Sequence, residues 1–149
     1  LEFRRVLFRS RAAIHLAQKE PGQASSVADI SASEAIPKKF LEKILQDLIH
    51  AGVAVSRRGS HGGYALTRSP SEISFKQVME AVEGPIALNV CTGGPNLCSV
   101  SPTCGMQHVW AEGQRRLIDL FAATRLSDLL PASGTPRPGR PAPYQRPES

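Results

Sequence analysis

Between Pro37 and Thr67 the chain carries a pattern that few folds satisfy: an amphipathic helix, a stop, then two short alternating segments around a basic, glycine-rich tip. Phe40, Leu41, Ile44, Leu45, Leu48 and Ile49 recur at helical spacing on two adjacent rows, giving a wide apolar stripe of the kind a helix turns toward a core. Pro37 is preorganised for the first turn, and Gly52 suits the left-handed cap that ends such a helix. Val53–Ser56 and Tyr64–Thr67 alternate as strands on either side of Arg57-Arg58-Gly59-Ser60-His61-Gly62-Gly63, which predicts a β-hairpin.

Two further helices precede this unit. Arg11 to Ala17 reads as one, stopped by Pro21-Gly22. Ser26 is placed as the N-cap of a short second helix through Val27-Ala28-Asp29-Ile30, with an acid in the first turn where the helix dipole favours it. The order helix, helix, basic hairpin predicts a mainly α fold with a small β-hairpin wing, a winged helix-turn-helix. Aromatics make up only 5% of the 149 residues, so the core must come from Leu, Ile, Val and Ala, which argues against an all-β architecture.

Charge is concentrated in the same place. Residues 37 to 68 hold six positive side chains (Lys38, Lys39, Lys43, Arg57, Arg58, Arg68) against Glu42 and Asp47, whereas residues 69 to 130 hold four against six. A basic face suits a polyanion, most simply a nucleic acid, and the alternative is a solvated basic surface. Lys38 and Lys39 stand at the end of the second helix of the pair that would enter a major groove; the alternative is an ordinary helical hairpin. The glycines of the hairpin tip admit close backbone approach to phosphate, and paired arginines suit phosphates or a narrow minor groove. A nucleotide-cradling loop would need a Lys-Ser/Thr ending and a helix directly behind it, and neither follows here.

Beyond the hairpin, Ser74 and Gln77 form a capping box for a helix with Phe75, Val78, Met79 and Val82 on one face. Residues 84 to 105 are then too long for a plain connection, and they carry all three cysteines, Cys91, Cys98 and Cys104. Thiolates suit iron–sulfur clusters and zinc, and the six- and five-residue gaps are wider than those of a zinc ribbon. An iron–sulfur cluster is the first expectation, with zinc, thiol redox sensing and structural cysteines as alternatives. His108 is the nearest fourth ligand, with Gln107, a partner-chain group or an outside ligand as rivals. Met106 to Thr124 reads as a long helix with Trp110, Leu117, Leu120 and Phe121 on an apolar side and Glu112, Arg115, Arg116 and Asp119 on a wet one, a natural dimerisation element.

Taken together, Val27-Ala28-Asp29-Ile30-Ser31, Phe40-Leu41-Glu42-Lys43-Ile44-Leu45, Arg58-Gly59-Ser60-His61-Gly62-Gly63-Tyr64, the three cysteines and Trp110 resemble the winged-helix iron–sulfur regulators of IscR and NsrR type, from about Arg11 to Leu130. The resemblance implies a homodimeric transcriptional repressor that reads an inverted repeat in double-stranded DNA, its long helices crossing at the dimer interface. It places Lys38, Lys39 and Glu42 on the recognition helix, with Glu42 accepting from a cytosine amino group, and Arg58 and His61, beside Arg57, on the wing. It makes Cys91, Cys98 and Cys104 cluster ligands, more often of 2Fe-2S than of 4Fe-4S, with loss or oxidation of the cluster changing DNA affinity. Three departures accompany it. The first cysteine gap is one residue longer than in the assembly repressor, Gln107 stands at that repressor's fourth-ligand position, and Leu7 stands where some members supply an acidic ligand.

The expected organisation is a suspect, non-native segment at 1–10, where no initiator Met opens the chain, a DNA-binding domain at 11–83, and a cysteine loop at 84–105. A dimerisation helix with a short C-terminal helix follows at 106–130, then a disordered, proline-rich tail at 131–149. No run approaches the roughly eighteen apolar residues of a membrane span, no secretory signal opens the chain, and an odd cysteine count does not fit a disulfide framework, so a cytoplasmic protein is expected. No nucleophile–base pair stands out, beyond a remote pairing of Cys91 with His108, so an enzyme is not expected.

Overall fold

The computed structural model describes residues 3–131; of the tail expected to be disordered, all but Pro131 lies outside them. Helix α1 spans Phe3–Ala17, so the helix expected from Arg11 continues back through the segment expected to be foreign. None of the site residues considered below lies in that segment. Ala12, Ala13, Leu16 and Ala17 are buried, and His15 Nδ1 lies 3.0 Å from Glu34 Oε1, tying α1 to the end of the next helix.

Helix α2 spans Val27–Glu34. Ser26 caps it, its hydroxyl accepting from the Asp29 amide at 3.1 Å and donating to Asp29 Oδ2 at 2.7 Å. That hydroxyl bond and the Ser26 backbone hold the Asp29 carboxyl below its ordinary pKa. The helix stops at Ala35 in the left-handed region, φ 55°, and the chain turns into α3, Lys38–His50. Leu41, Ile44, Leu45 and Leu48 are buried at helical spacing, and with Ile30, Ile36, Val53, Ile73, Val78 and Leu126 they form the core. Phe40 departs from the expected stripe and is exposed: the buried arc is centred on Leu41 and Leu45, and a residue one step from Leu41 is turned about 100° from it.

Gly52, at φ 71°, ends α3 with its amide donating to Ile49 O at 2.9 Å while the Val53 amide reaches Leu48 O at 2.9 Å. This is the left-handed cap that glycine adopts most readily. Strands β1 (Ala54–Arg57) and β2 (Gly63–Leu66) pair antiparallel, Ala54 opposite Leu66 and Arg57 opposite Gly63. The ladder thus sits one residue off the expected segments and takes in Arg57. A third segment joins it: Ser25 and Tyr64 exchange backbone hydrogen bonds of 2.9 and 2.8 Å. Gly63 is needed there, because its φ is +141° and a Cβ would lie 2.4 Å from Ser25 O.

Helix α4 (Phe75–Glu83) opens with the expected capping box of Ser74 and Gln77 and buries Val78 and Met79. After the cysteine loop, α5 runs from Gln107 to Ala123 with no buried residue. The chain then folds back onto the start of α4. The Phe75 amide donates to Thr124 O at 2.8 Å, the Leu126 amide to Ile73 O at 3.0 Å, and Leu126 is fully buried. The expected short C-terminal helix is one 3-10 turn, Leu126–Leu129.

Candidate functional site

Recognition begins with what the first turn of α3 presents. Pro37 caps α3 with extended backbone and no side-chain cap bond, so the next residues start the helix at the protein surface. Lys38, Lys39 and Glu42 are all exposed. None of the three makes an ion pair or side-chain hydrogen bond among the described residues, while Lys43, one position on, faces Asp47 at 3.8 Å. Two cations and an acceptor are therefore left free on one helical turn, the arrangement that can meet phosphates and a base edge.

The wing divides its two arginines. Arg57 Nη1 donates to the Gly22 carbonyl, strapping the hairpin to the turn between α1 and α2. Arg58 is exposed and has no side-chain partner among the described residues. His61 is exposed at the tip, its Nδ1 3.2 Å from the Ser60 hydroxyl. The wing is held from behind by Arg57 and by the Ser25–Tyr64 bridge, which leaves Arg58 and His61 facing outward from a supported base. The strap and the bridge escaped the sequence reading; the signal that could have found the bridge is the glycine pair at 62 and 63, since at both positions a Cβ would lie within 2.5 Å of backbone oxygen.

The cysteine loop is ordered as a series of tight turns. Cys91 lies in a 3-10 turn, Val90–Thr92, capped by Asn89. Cys98 lies beside Asn96, Ser99, Pro102 and Gln107 around a separate cavity. Cys104 immediately precedes α5, its carbonyl accepting from the Gln107 amide at 3.2 Å. All three thiols are free and half-buried, so the donors are chemically suited to a soft metal or cluster. Their positions are not convergent: among the described residues no group of three or more His, Cys, Asp or Glu side chains surrounds a common centre. His108, in the first turn of α5, is exposed and joins no such group.

Helix α5 has two apolar faces. Phe121 turns inward, its ring 4.9 Å from that of Phe75 and edge-on at 82°. Val109, Trp110 and Leu120 point out, 62%, 40% and 61% exposed. The expected apolar side therefore splits, Phe121 serving the α4 contact, Leu117 half-buried, and Trp110 and Leu120 facing solvent. Alongside, Arg115 pairs with Glu112 at 2.7 Å and with Asp119 at 2.9 Å, and Arg116 pairs with Glu112 at 2.7 Å. The hydrogen bonds from Arg115 and Arg116 lower the Glu112 pKa to about 2. Among the described residues no helix is long and apolar enough to cross a membrane.

Comparison with known proteins assigns this architecture. The sequence pattern of the Rrf2 family, described as iron-dependent transcriptional regulators, matches residues 5–132. The chain is 31% identical to the HTH-type transcriptional regulator NsrR of Bacillus subtilis over 121 residues, 80% of this chain and 83% of that one. It is 33% identical to the HTH-type transcriptional regulator IscR of Cereibacter sphaeroides over 129 residues, 85% of this chain and 83% of that one. Its fold is similar to that of CymR, the global cysteine regulator of B. subtilis, with a TM-score of 0.69 at 23% identity, covering 84% of this chain and 92% of that one. These relatives are regulators and not enzymes, and the winged, mainly helical fold expected from the sequence is the one they share. By its sequence and its fold, the chain belongs to the Rrf2 family of HTH-type transcriptional regulators.

Proposed function

We propose that the chain is a homodimeric repressor that reads an inverted repeat through the first turn of α3 and the wing, and that the cysteine loop sets its affinity by way of an iron–sulfur cluster. The observation that carries the DNA-reading half is the set of exposed side chains Lys38, Lys39, Glu42 and Arg58, without partners among the described residues, on supported elements. Lysines and arginines neutralise phosphates, and Glu42 is placed to accept from a cytosine amino group. His61 would add a wing contact, and Arg57 would act chiefly by holding the wing in place. Dimerisation is supported by Val109, Trp110 and Leu120, large exposed apolar side chains on the outward side of α5 that a second copy would cover.

Cys91, Cys98 and Cys104 would hold the cluster, with His108 or Gln107 as fourth ligand, and the resemblance to the IscR and NsrR regulators favours 2Fe-2S. When bound, such a cluster supplies an iron centre reactive toward oxidants and nitric oxide. The chain's own part is to keep three thiols partly accessible on short turns. A second reading, thiol sensing without a cluster, is favoured by the lack, among the described residues, of a group of three or more ligand side chains and by the fold shared with a cysteine regulator; zinc in place of the cluster is a third.

Anaerobic purification with iron and sulfide analysis, visible absorbance, and duplex binding over a range of salt tests all three. A brown protein whose duplex affinity shifts when the cluster is removed supports the first reading. A colourless protein that responds to oxidants and loses that response in Cys91→Ala selects the second, and stoichiometric zinc the third. A metal-replete protein with no salt-dependent affinity for any duplex overturns the DNA-reading proposal itself.

A further inference from the structure

The Cys91 turn is closed on itself before anything else touches it. The Asn89 amide donates to Thr92 Oγ1 at 3.1 Å, Thr92 Oγ1 donates back to Asn89 O at 2.9 Å, and Asn89 Oδ1 accepts from the Val90 amide at 2.8 Å. One side chain then spans this turn from outside. Gln114, from the middle of α5, accepts from the Leu88 amide through Oε1 at 3.0 Å and donates from Nε2 to the Thr92 carbonyl at 2.9 Å. The two bonded residues lie on either side of Cys91, Leu88 before the turn and Thr92 at its end, and Gln114 and Arg115 share with Cys91 a cavity of about 350 Å³. Leu88 lies against α5 as well, its Cδ1 3.8 Å from where a Cβ on Gly113 would stand.

We propose that Gln114 is the positioning residue that ties the state of Cys91 to α5: its amide bridges Leu88 N and Thr92 O, so ligation or covalent modification of Cys91 that reshapes the turn is felt by the helix bearing Trp110 and Leu120. Only a side chain with both a donor and an acceptor at that length completes the bridge. The proposal deepens the reading of the cysteine loop as the regulator's input. Its test uses thiol reactivity, amide exchange and tryptophan fluorescence, so it stands or falls independently of DNA binding and of the cluster.

Two variants of nearly equal size separate the halves of the bridge. Gln114→Met loses both bonds; Gln114→Glu at neutral pH keeps the acceptor for Leu88 but turns an acceptor on the Thr92 carbonyl. Alkylation of the metal-free protein by iodoacetamide is followed by mass spectrometry at each cysteine. The rate at Cys91, relative to Cys98 and Cys104 in the same sample, rises about five-fold to thirty-fold in Gln114→Met, where both bonds bracing the turn against α5 are lost, and by a smaller factor in Gln114→Glu, where one is. The Leu88 amide loses exchange protection in Gln114→Met and keeps it in Gln114→Glu. In a Cys98→Ser, Cys104→Ser background, alkylating Cys91 changes the fluorescence of Trp110, the single tryptophan, and Gln114→Met removes that change. An unchanged Cys91 ratio in both variants, equal acceleration at all three cysteines, or a Trp110 response that survives Gln114→Met overturns the proposal.

Discussion

The half of the molecule that carries the candidate DNA-reading surface and the arm that carries the cysteines are held together in opposite ways. In residues 3–83 the helices and the hairpin share one core in which Leu41, Leu45, Leu48, Ile30 and Ile73 lose all contact with water. From residue 84 to 125 the only buried side chain among the described residues is Ile86. Val90, Leu97 and Val100 around the cysteines are each more than half exposed, and the contacts of α5 include the Phe75–Phe121 ring pair, a short backbone ladder at its end, Leu88 and Gln114. The reading half is thus ordered by a closed core, to which the segment after α5 adds Leu126. The arm is a region of low local stability, the part of a fold from which switching elements are drawn.

That contrast can be broken first by truncation. Leu45→Ala should cost about 2–5 kcal/mol of unfolding free energy, as large-to-small changes in closed cores do. Leu97→Ala should stay within about 0.5 kcal/mol, as exposed substitutions do. Urea denaturation of the two variants checks both, and a costly Leu97→Ala would mean that the arm carries a core of its own. Next in size, Trp110→Asp with Leu120→Asp should weaken self-association about a hundredfold or more in sedimentation experiments, since central apolar anchors carry most of an interface's energy, and should leave the denaturation of the reading half in place. A dimer that survives both charges would assign the seam elsewhere.

Smaller effects sharpen the comparison. Arg58→Ala should weaken duplex binding about tenfold or more and flatten its salt dependence by about one phosphate contact, with no change in thermal stability; loss of stability instead would make Arg58 a structural residue like Arg57. The smallest effect concerns Glu112. Its carboxyl titrates at about 2 in the folded chain against an ordinary 4.5, so the support it gives α5 is present above the ordinary value and is lost as pH falls toward the lowered one. Helicity followed between about pH 2 and 6 at low salt should therefore converge for wild type and Glu112→Gln at the acid end and separate above it. A difference independent of pH would remove the network from the account.

Most of the reading half was legible because its signals are local. A Ser two residues ahead of Ala28, a glycine after an apolar stripe and a Ser-x-x-Gln box each specify backbone geometry within a few residues. Phe40 and Phe121 were misplaced for one shared reason: periodicity gives the apolar arc of a helix, while tertiary neighbours decide which edge of it is covered. The Arg57 strap, the Ser25–Tyr64 bridge and the Gln114 clamp join residues 22 to 39 positions apart, and no spacing rule reaches across such gaps. The cysteines were legible as donors but not as a centre, because thiol chemistry can be read from residue types and convergence cannot.

The backbone ladder between α4 and the end of α5 has a mechanical consequence. Thr124 and Leu126 anchor the helix at one extremity, while Gln107, seventeen residues along the helix by its own count, begins the other. At 1.5 Å per residue the rod is about 25 Å long, so a pivot of about ten degrees at Thr124 swings the far tip by about 4 Å. A disturbance of a single turn near Cys104 thus meets the long end of a lever whose fulcrum is fused to the α4 cap.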